Sequence, residues 1–326
     1  MKAIVQTQYG PPDLLELAEV EKPVPNDNQV LMKVHAASVN ALDWRPFEMS
    51  PIFLGLMGSG FSKPKDPSMG ADVAGRVEAV GKNVKQFKPG DAVFGVAKGA
   101  FAEYACAAEH KLALKPDNIS FEQAAAVPVA AFTALQALRD KGRIQPGHQV
   151  LINGASGGVG TFAVQIAKVF GAEVTAVCST RNLPIARSIG ADHVIDYSKE
   201  DFTKNEQRYD LILAVNGYNP ILNYRRALTP QGIYISAGGS MGQIVQAMFL
   251  GRLLSKIGSK KLDFMGMAKT DQKDLLVIRE LLATGKVVPV IDRCYPFNGV
   301  PEALRYLLKE HAKGKVIITM EHDDKI

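Results

Sequence analysis

Three glycines spaced three apart, Gly154, Gly157 and Gly160, sit in the run Val150-Leu151-Ile152-Asn153-Gly154-Ala155-Ser156-Gly157-Gly158-Val159-Gly160, after a short apolar stretch and before a helical one. Glycine permits a tight turn, close approach of backbone N–H groups to a phosphate, and close packing of helix on strand. A helix N-terminus adds positive partial charge. Residues 154–160 therefore suit the pyrophosphate of a dinucleotide, with Gly154, Ala155, Ser156, Gly157, Gly158, Val159 and Gly160 as candidate contacts. The spacing is Gly-x-x-Gly-x-x-Gly rather than Gly-x-Gly-x-x-Gly, so a purely structural glycine turn stays open at this point.

The next strand end selects between dinucleotides. An Asp or Glu about 20 residues beyond the glycines would bind ribose hydroxyls and repel a 2′-phosphate. Here the strand ends in Cys178-Ser179-Thr180-Arg181-Asn182, without an acid. Two hydroxyls and a guanidinium suit a phosphate, since arginine offers a charge-assisted fork. Ser179, Thr180 and Arg181 thus favour NADP (NADPH) over NAD, unless the two hydroxyls only cap the helix that follows.

The elements that must position these residues are readable from periodicity. Val159, Phe162, Ala163, Ile166 and Phe170 recur at helical spacing, Gly171 stops the helix, and Glu173–Cys178 is a second apolar strand, which completes a βαβ unit. Residues 1–120 read instead as short strands broken by glycine and proline, an all-β, barrel-like domain. From 121 to 285 helical patterns alternate with apolar strands, as in a doubly wound parallel sheet. The tail, 286–326, returns to strand texture at Val287–Ile291 and Val316–Thr319, around a helical Val300–Leu308, and is expected to rejoin the first domain.

Composition excludes several classes. The 326 residues, 47% hydrophobic and 22% charged, can bury a sizeable core. A net charge of +5 is mild and dispersed, unlike the basic stripe of a nucleic-acid binder. Cys106, Cys178 and Cys294 show no paired spacing, so neither a disulfide framework nor a cysteine-rich metal site is indicated. Met1 runs directly into the strand-like Lys2–Gln6, and the expected location is cytoplasmic.

Seven ordered segments carry a resemblance along nearly the whole chain: Ser38–Trp44, Gly70–Gly81, Phe87–Gly95, Gly99–Tyr104, Ala124–Pro128, Ala155–Gly160 and Ala191–Tyr197. The chain resembles a zinc-independent member of the medium-chain dehydrogenase/reductase superfamily, closest to the quinone oxidoreductase group. The resemblance implies a GroES-like β-barrel catalytic domain joined to a Rossmann domain, with the active site in the cleft between them. It also implies a homodimer. Zinc-dependent relatives carry Cys where Asn40 stands and His-Glu where Ala71-Asp72 stands, so no metal is expected here.

Without a Lewis acid, the chemistry most easily supported is hydride transfer from NADPH to a small lipophilic acceptor, a quinone or the β-carbon of an enone. Asn40 is the first candidate to stabilise charge on the acceptor's carbonyl oxygen, and the resemblance also implies that it contacts the cofactor at the nicotinamide; a turn residue ending the strand at Val39 is its other reading. Asp43 and Trp44 follow, either at the substrate or in barrel packing. Thr133 and Lys315 match family positions near the cofactor, or are respectively an ordinary helix residue and a solvated lysine. Tyr197 could join Arg181 at the 2′-phosphate, while Asn216-Gly217 and Ala237-Gly238-Gly239 end strands at the carboxyl edge where parallel sheets bind ligands. The apolar segment 47–61 either roofs the substrate or packs into the cleft or against a partner subunit, and 241–261 is a basic amphipathic stretch for core, partner subunit or membrane. An NADPH-binding sensor or scaffold and an alcohol dehydrogenase are the alternatives to a reductase.

Overall fold

Strand β3 (Gln29–Val39) is the axis of the β-rich unit, because three other strands use its edges. The computed structural model describes residues 1–44, 63–309 and 312–320; the expectations for segment 47–61 and for the Trp44 side chain fall outside the described residues. By internal contacts the chain divides into two units, Met1–Val129 with Thr270–Ala283 and Pro289–Ile326, and Ala130–Lys269 with Thr284–Val288.

In the first unit β3 pairs antiparallel with β4 (Asp72–Val80), which continues to β5 (Ala92–Val96) and β7 (Leu112–Leu114). Strand β6 (Tyr104–Ala108) pairs with β3 over Gln29–Lys33. The other end of β3 receives β15 (Lys315–Thr319), itself flanked by β14 (Ile291–Pro296). A short ribbon of β1 (Lys2–Val5) and β2 (Glu16–Glu19) completes the unit. Val30, Met32, Val34, Val73, Val93, Phe101, Leu112, Val316 and Ile318 form its core.

The second unit holds one parallel sheet in the order β10-β9-β8-β11-β12-β13. Its strands are β8 (Gln149–Asn153), β9 (Glu173–Cys178), β10 (His193–Asp196), β11 (Tyr209–Ala214), β12 (Leu228–Ser236) and β13 (Lys261–Phe264). The order reverses between β8 and β11, the switch point at which doubly wound sheets bind ligands. Val150, Leu151 and Ile152 are all fully buried, as expected of a strand covered on both faces.

The unit boundaries differ from those read from pattern alone. Helix α2 (Phe121–Ala125) and helix α8 (Gln272–Ala283) belong to the β-rich unit. Arg279 Nε donates to Leu114 O at 2.9 Å and Asn118 Nδ2 to Leu282 O at 2.9 Å, tying α8 to β7 and the residues after it. Helical periodicity reports a buried face, not which sheet covers it. The tail strand is also displaced: β14 begins at Ile291, so the strand expected at Val287–Ile291 does not form. The Gln165 side chain takes its place, accepting from Val288 N at 2.8 Å and donating to Val288 O at 3.0 Å.

Candidate active site

The ends of three neighbouring strands assemble a buried polar cluster. Register does the work: Val316 pairs with Val39, so Lys315 falls beside Asn40, and Ser38 pairs with Asp72. Asp72 is fully buried and Lys315 is 3% exposed. Lys315 Nζ lies 2.5 Å from Asn40 Oδ1, 3.3 Å from Asp72 Oδ2 and 3.4 Å from Val39 O. Asn40 Nδ2 donates to Asp72 Oδ2 at 2.9 Å and to Ser38 O at 3.3 Å. Ser38 Oγ donates to Asp72 Oδ2 at 2.8 Å, and Val129 N to Asp72 Oδ1 at 2.9 Å. Every acceptor and donor in this cluster is thereby matched, which is how a buried charge pair is tolerated.

Two expectations change here. Lys315 is neither solvated nor directed outward; its ammonium is held inside the β-rich unit. Asn40 ends β3 as expected, but both its N–H groups engage protein acceptors, the one to Ser38 O being the longer. Ser38 and Asp72 were not read as site residues, since their roles depend on the β3/β4 register rather than on local pattern.

Asp43 lies in helix α1 (Ala41–Trp44), where Oδ2 accepts the Asn40 N–H at 2.7 Å. An acid three residues after the N-cap position closes that helix start. Burial pushes its carboxyl up to about 7, with the Asp72 charge adding to the rise and Lys315 and the N–H groups of Asn40 and Gly70 opposing it. In the unfolded chain the group titrates near 3.8. Between those values the folded state keeps a proton that the unfolded state has released, so Asp43's stabilising contribution is full below 3.8 and is lost as pH rises through about 7. At about 1.36 kcal/mol per unit, the loss is on the order of 4 kcal/mol. Urea midpoints measured from pH 4 to 8 should therefore fall more steeply for the wild type than for Asp43→Asn. Parallel profiles for the two proteins would show that Asp43 does not titrate in this window.

The glycine turn is built as a nucleotide cradle. Gly154 has φ +87°, and a Cβ there would meet Asn216 Cβ and N at 2.8 Å. A Cβ on Gly160 would sit 2.1 Å from Gly154 O, so α4 (Gly158–Val169) could not pack on the turn with any larger residue. At Gly157 a Cβ would meet only Gly154 O, at 3.6 Å, leaving the space above the turn open. Gly157 is also the N-cap and supplies no side-chain acceptor, so the first-turn N–H groups of Gly158, Val159 and Gly160 have no intrahelical partner. Those groups suit a phosphate. Gly154 and Ala155 differ from expectation: both N–H groups donate to Val177 O at 3.1 Å and so shape the turn rather than face a ligand.

Beside the turn, Asn182 Nδ2 donates to Ser156 Oγ at 2.9 Å, while the buried Asn182 Oδ1 has no partner among the described residues. A ribose hydroxyl would satisfy that oxygen. In the sequence Asn182 is marked only as the last residue of its strand-end run. Ser179 is half-buried, Thr180, Arg181 and Tyr197 are exposed, and all stand at the ends of β9 and β10. An acid does approach them, from the next strand: Thr180 Oγ1 donates to Asp196, which also accepts from Ser198 Oγ at 2.7 Å and Ser198 N at 3.0 Å. These hydrogen bonds, Thr180 first, hold the Asp196 carboxyl below the usual range.

The loops after β11 and β12 close the carboxyl edge. Val215 N and Asn216 N donate to Asn153 O, at 2.9 and 3.3 Å, and Ala237 N donates to Ala214 O at 2.8 Å. A Cβ on Gly217 would be 3.3 Å from Asn153 Nδ2, and one on Gly238 would be 2.5 Å from Val215 O. Asn216, Gly217, Ala237, Gly238 and Gly239 thus gather with Gly154 at one end of the sheet. Thr133 is half-buried on α3 (Pro128–Gln136). The cradle, the open space at Gly157 and the unpaired Asn182 oxygen fit a dinucleotide.

Comparison with known proteins agrees with this geometry. Residues 26–117 match the family model described as alcohol dehydrogenase GroES-like domain, and 189–318 the one described as zinc-binding dehydrogenase. A mitochondrial NAD(P)H oxidoreductase of Mus musculus is 32% identical over 98% of this chain and 89% of its own. The chain belongs to the medium-chain dehydrogenase/reductase superfamily. Within that superfamily it falls in the zinc-independent, quinone oxidoreductase-like group. The 2-methylene-furan-3-one reductase of Solanum lycopersicum is 35% identical over 98% of this chain and 79% of its own. The structure of the quinone oxidoreductase from Coxiella burnetii superposes with a TM-score of 0.86 at 28% identity, covering 98% of this chain and 99% of that one. This medium-chain reductase is accordingly an oxidoreductase of the nicotinamide-dependent kind.

Proposed function

We propose that this chain is an NADPH-dependent reductase that delivers hydride to a quinone or to the double bond of an α,β-unsaturated carbonyl, without a metal. The observation that carries the reading is the Lys315 ammonium lying against Asn40 and Asp72, positions at which zinc-dependent relatives present ligand-type side chains. A protein cation matched by Asp72 already occupies the polar environment a metal would need. The relatives named for quinone oxidoreduction and for reduction of a methylene-furanone support the acceptor class.

When bound, the reduced nicotinamide supplies the hydride. The first-turn N–H groups of α4 hold the pyrophosphate, Asn182 and Ser156 hold a ribose, and Ser179 and Arg181 receive the 2′-phosphate. Asp196 remains compatible with that phosphate because Thr180 and Ser198 engage its oxygens. Of the two Asn40 N–H bonds, the 3.3 Å contact to Ser38 O is the weaker and is the one exchanged for the acceptor's carbonyl oxygen. The reading includes a homodimer, supported by the exposed apolar side chains Val245, Met248, Phe249, Leu253 and Ile257.

The test is NADPH oxidation measured with a panel of quinones, enones and alcohols. Turnover with quinones or enones is expected; cofactor binding without turnover would favour a sensor, and alcohol-driven reduction of NADP+ an alcohol dehydrogenase. Arg181→Ala should weaken NADPH far more than NADH, because a lost charge-assisted phosphate contact costs on the order of 1.5–3 kcal/mol. Titration of both cofactors reads this directly, and an equal loss for both would place the phosphate elsewhere.

A further inference from the structure

Asp196 ends β10 in register with Cys178, the last residue of β9, so its carboxylate stands beside the strand end that carries Ser179, Thr180 and Arg181. Hydroxyls take both of its oxygens. Thr180 Oγ1 donates to Oδ2, while Ser198 Oγ donates to Oδ1 at 2.7 Å, where Ser198 N joins it at 3.0 Å. A hydroxyl carries a single proton, and a carboxylate only accepts. The protons of Thr180 and Ser198 are therefore both committed to Asp196, and what the two hydroxyls present outward is lone pairs. Their oxygens are 3.5 Å apart, and both residues are exposed although Asp196 itself is only 8% exposed. Lys199 Nζ, 3.8 Å from Asp196 Oδ2 on an exposed side chain, is a weak counter-charge.

Outward lone pairs do not match a phosphate. A 2′-phosphate only accepts, so at this strand end its donors are Ser179 and Arg181, and Thr180 offers it none. A free 2′-hydroxyl is the opposite case. It donates to an oxygen held in this way, and the carboxylate behind that oxygen polarises the O–H bond and strengthens the acceptance. An acid at the end of β9 would bind ribose directly and repel the phosphate. Asp196 acts from the next strand through two intervening hydroxyls, so it disfavours the phosphate without excluding it.

We propose that Asp196 is a specificity-determining residue: by holding the protons of Thr180 and Ser198 it makes their oxygens acceptors for an unphosphorylated ribose, so that the chain binds NADH as well as NADPH. The proposal rests on the dinucleotide reading of the parallel-sheet unit and deepens it. Ser179 and Arg181 give NADPH its advantage, and Asp196 limits that advantage. Without the carboxylate, Thr180 and Ser198 regain protons to donate, which suits the phosphate, while the 2′-hydroxyl loses a polarised acceptor.

Equilibrium titration with NADPH and NADH tests this. The wild type should bind both, NADPH the more tightly. Asp196→Ala should bind NADPH about tenfold more tightly, the effect of one new charge-assisted hydrogen bond, and NADH about threefold more weakly. Asp196→Asn, which keeps the shape of the strand end and one acceptor oxygen, should move both affinities in the same directions by less, and serves if the alanine variant does not fold. Thr180→Val should weaken NADH and leave NADPH within about twofold, since in the wild type Thr180 gives the phosphate no proton. A residue that merely braces the end of β10 would weaken both cofactors together when removed. That result, or an unchanged ratio of the two affinities in the Asp196 variants, overturns the assignment, and so does a wild type that binds NADPH but not NADH. If the wild type binds neither cofactor, the dinucleotide reading itself fails and the role of Asp196 with it.

Discussion

Lys315→Met should destabilise the β-rich unit by about 3–5 kcal/mol, the usual consequence of removing one member of a buried ion pair. The methionine fills most of the lysine's volume, so the loss comes from charge rather than from a cavity. Asp72 is fully buried, and without the ammonium its carboxylate keeps hydrogen bonds from Ser38, Asn40 and Val129 but no counter-charge. Pairing the change with Asp72→Asn should recover most of the loss, because the double variant leaves no unmatched charge. Urea unfolding of the two single variants and the double variant closes the cycle. A loss below about 1 kcal/mol for Lys315→Met, or no recovery in the double variant, would mean that Lys315 and Asp72 are not electrostatically coupled.

That cluster also shows where reading a sequence stops. Asn40 was legible because it ends a strand within a run of family-like residues, and the glycine turn because strand, turn and helix are contiguous. The partner of Asn40 is 275 residues away. Only the pairing of β15 with β3 brings Lys315 beside it, and a shift of one residue would turn Lys315 to the opposite face. Strand pattern identified β15 but could not supply its register, so Lys315 read equally well as solvated.

The nucleotide end divides in the same way. Three glycines predict a cradle, but which N–H groups remain free depends on Val177 O, which engages Gly154 and Ala155. The absence of an acid in Ser179–Asn182 was correct for that segment; Asp196 reaches Thr180 from an adjacent strand, which only the β9/β10 pairing reveals. Asn182 carries no motif at all. What marks it is a buried polar atom left unpaired among the described residues, a property that exists only after packing. The division into units failed to follow texture for a related reason, since α8 has an ordinary amphipathic pattern and hydrogen bonds to Leu114 and Asn118 decide which unit it joins.

Asn40→Ala should lower the turnover number by about 10²–10³, the usual effect of deleting one donor to a developing oxyanion. NADPH affinity should stay near the wild-type value, since the contacts assigned to the dinucleotide lie on α4, Asn182 and the loops after β9. Stability should fall less than in Lys315→Met, by about 1–3 kcal/mol, because Lys315 retains Asp72 and Val39 O as partners. The ratio of the two effects is therefore the diagnostic: a catalytic donor lowers rate far more than stability, whereas a strut between Lys315 and Asp72 lowers stability and leaves rate intact. Stopped-flow transients with NADPH and with its 4-deuterated form locate the loss, which should fall on the hydride-transfer step. If Asn40→Ala reduces quinones at the wild-type rate while its melting temperature drops, then the 3.3 Å bond to Ser38 O is never exchanged for substrate, and Asn40 serves only to hold the buried cation in place.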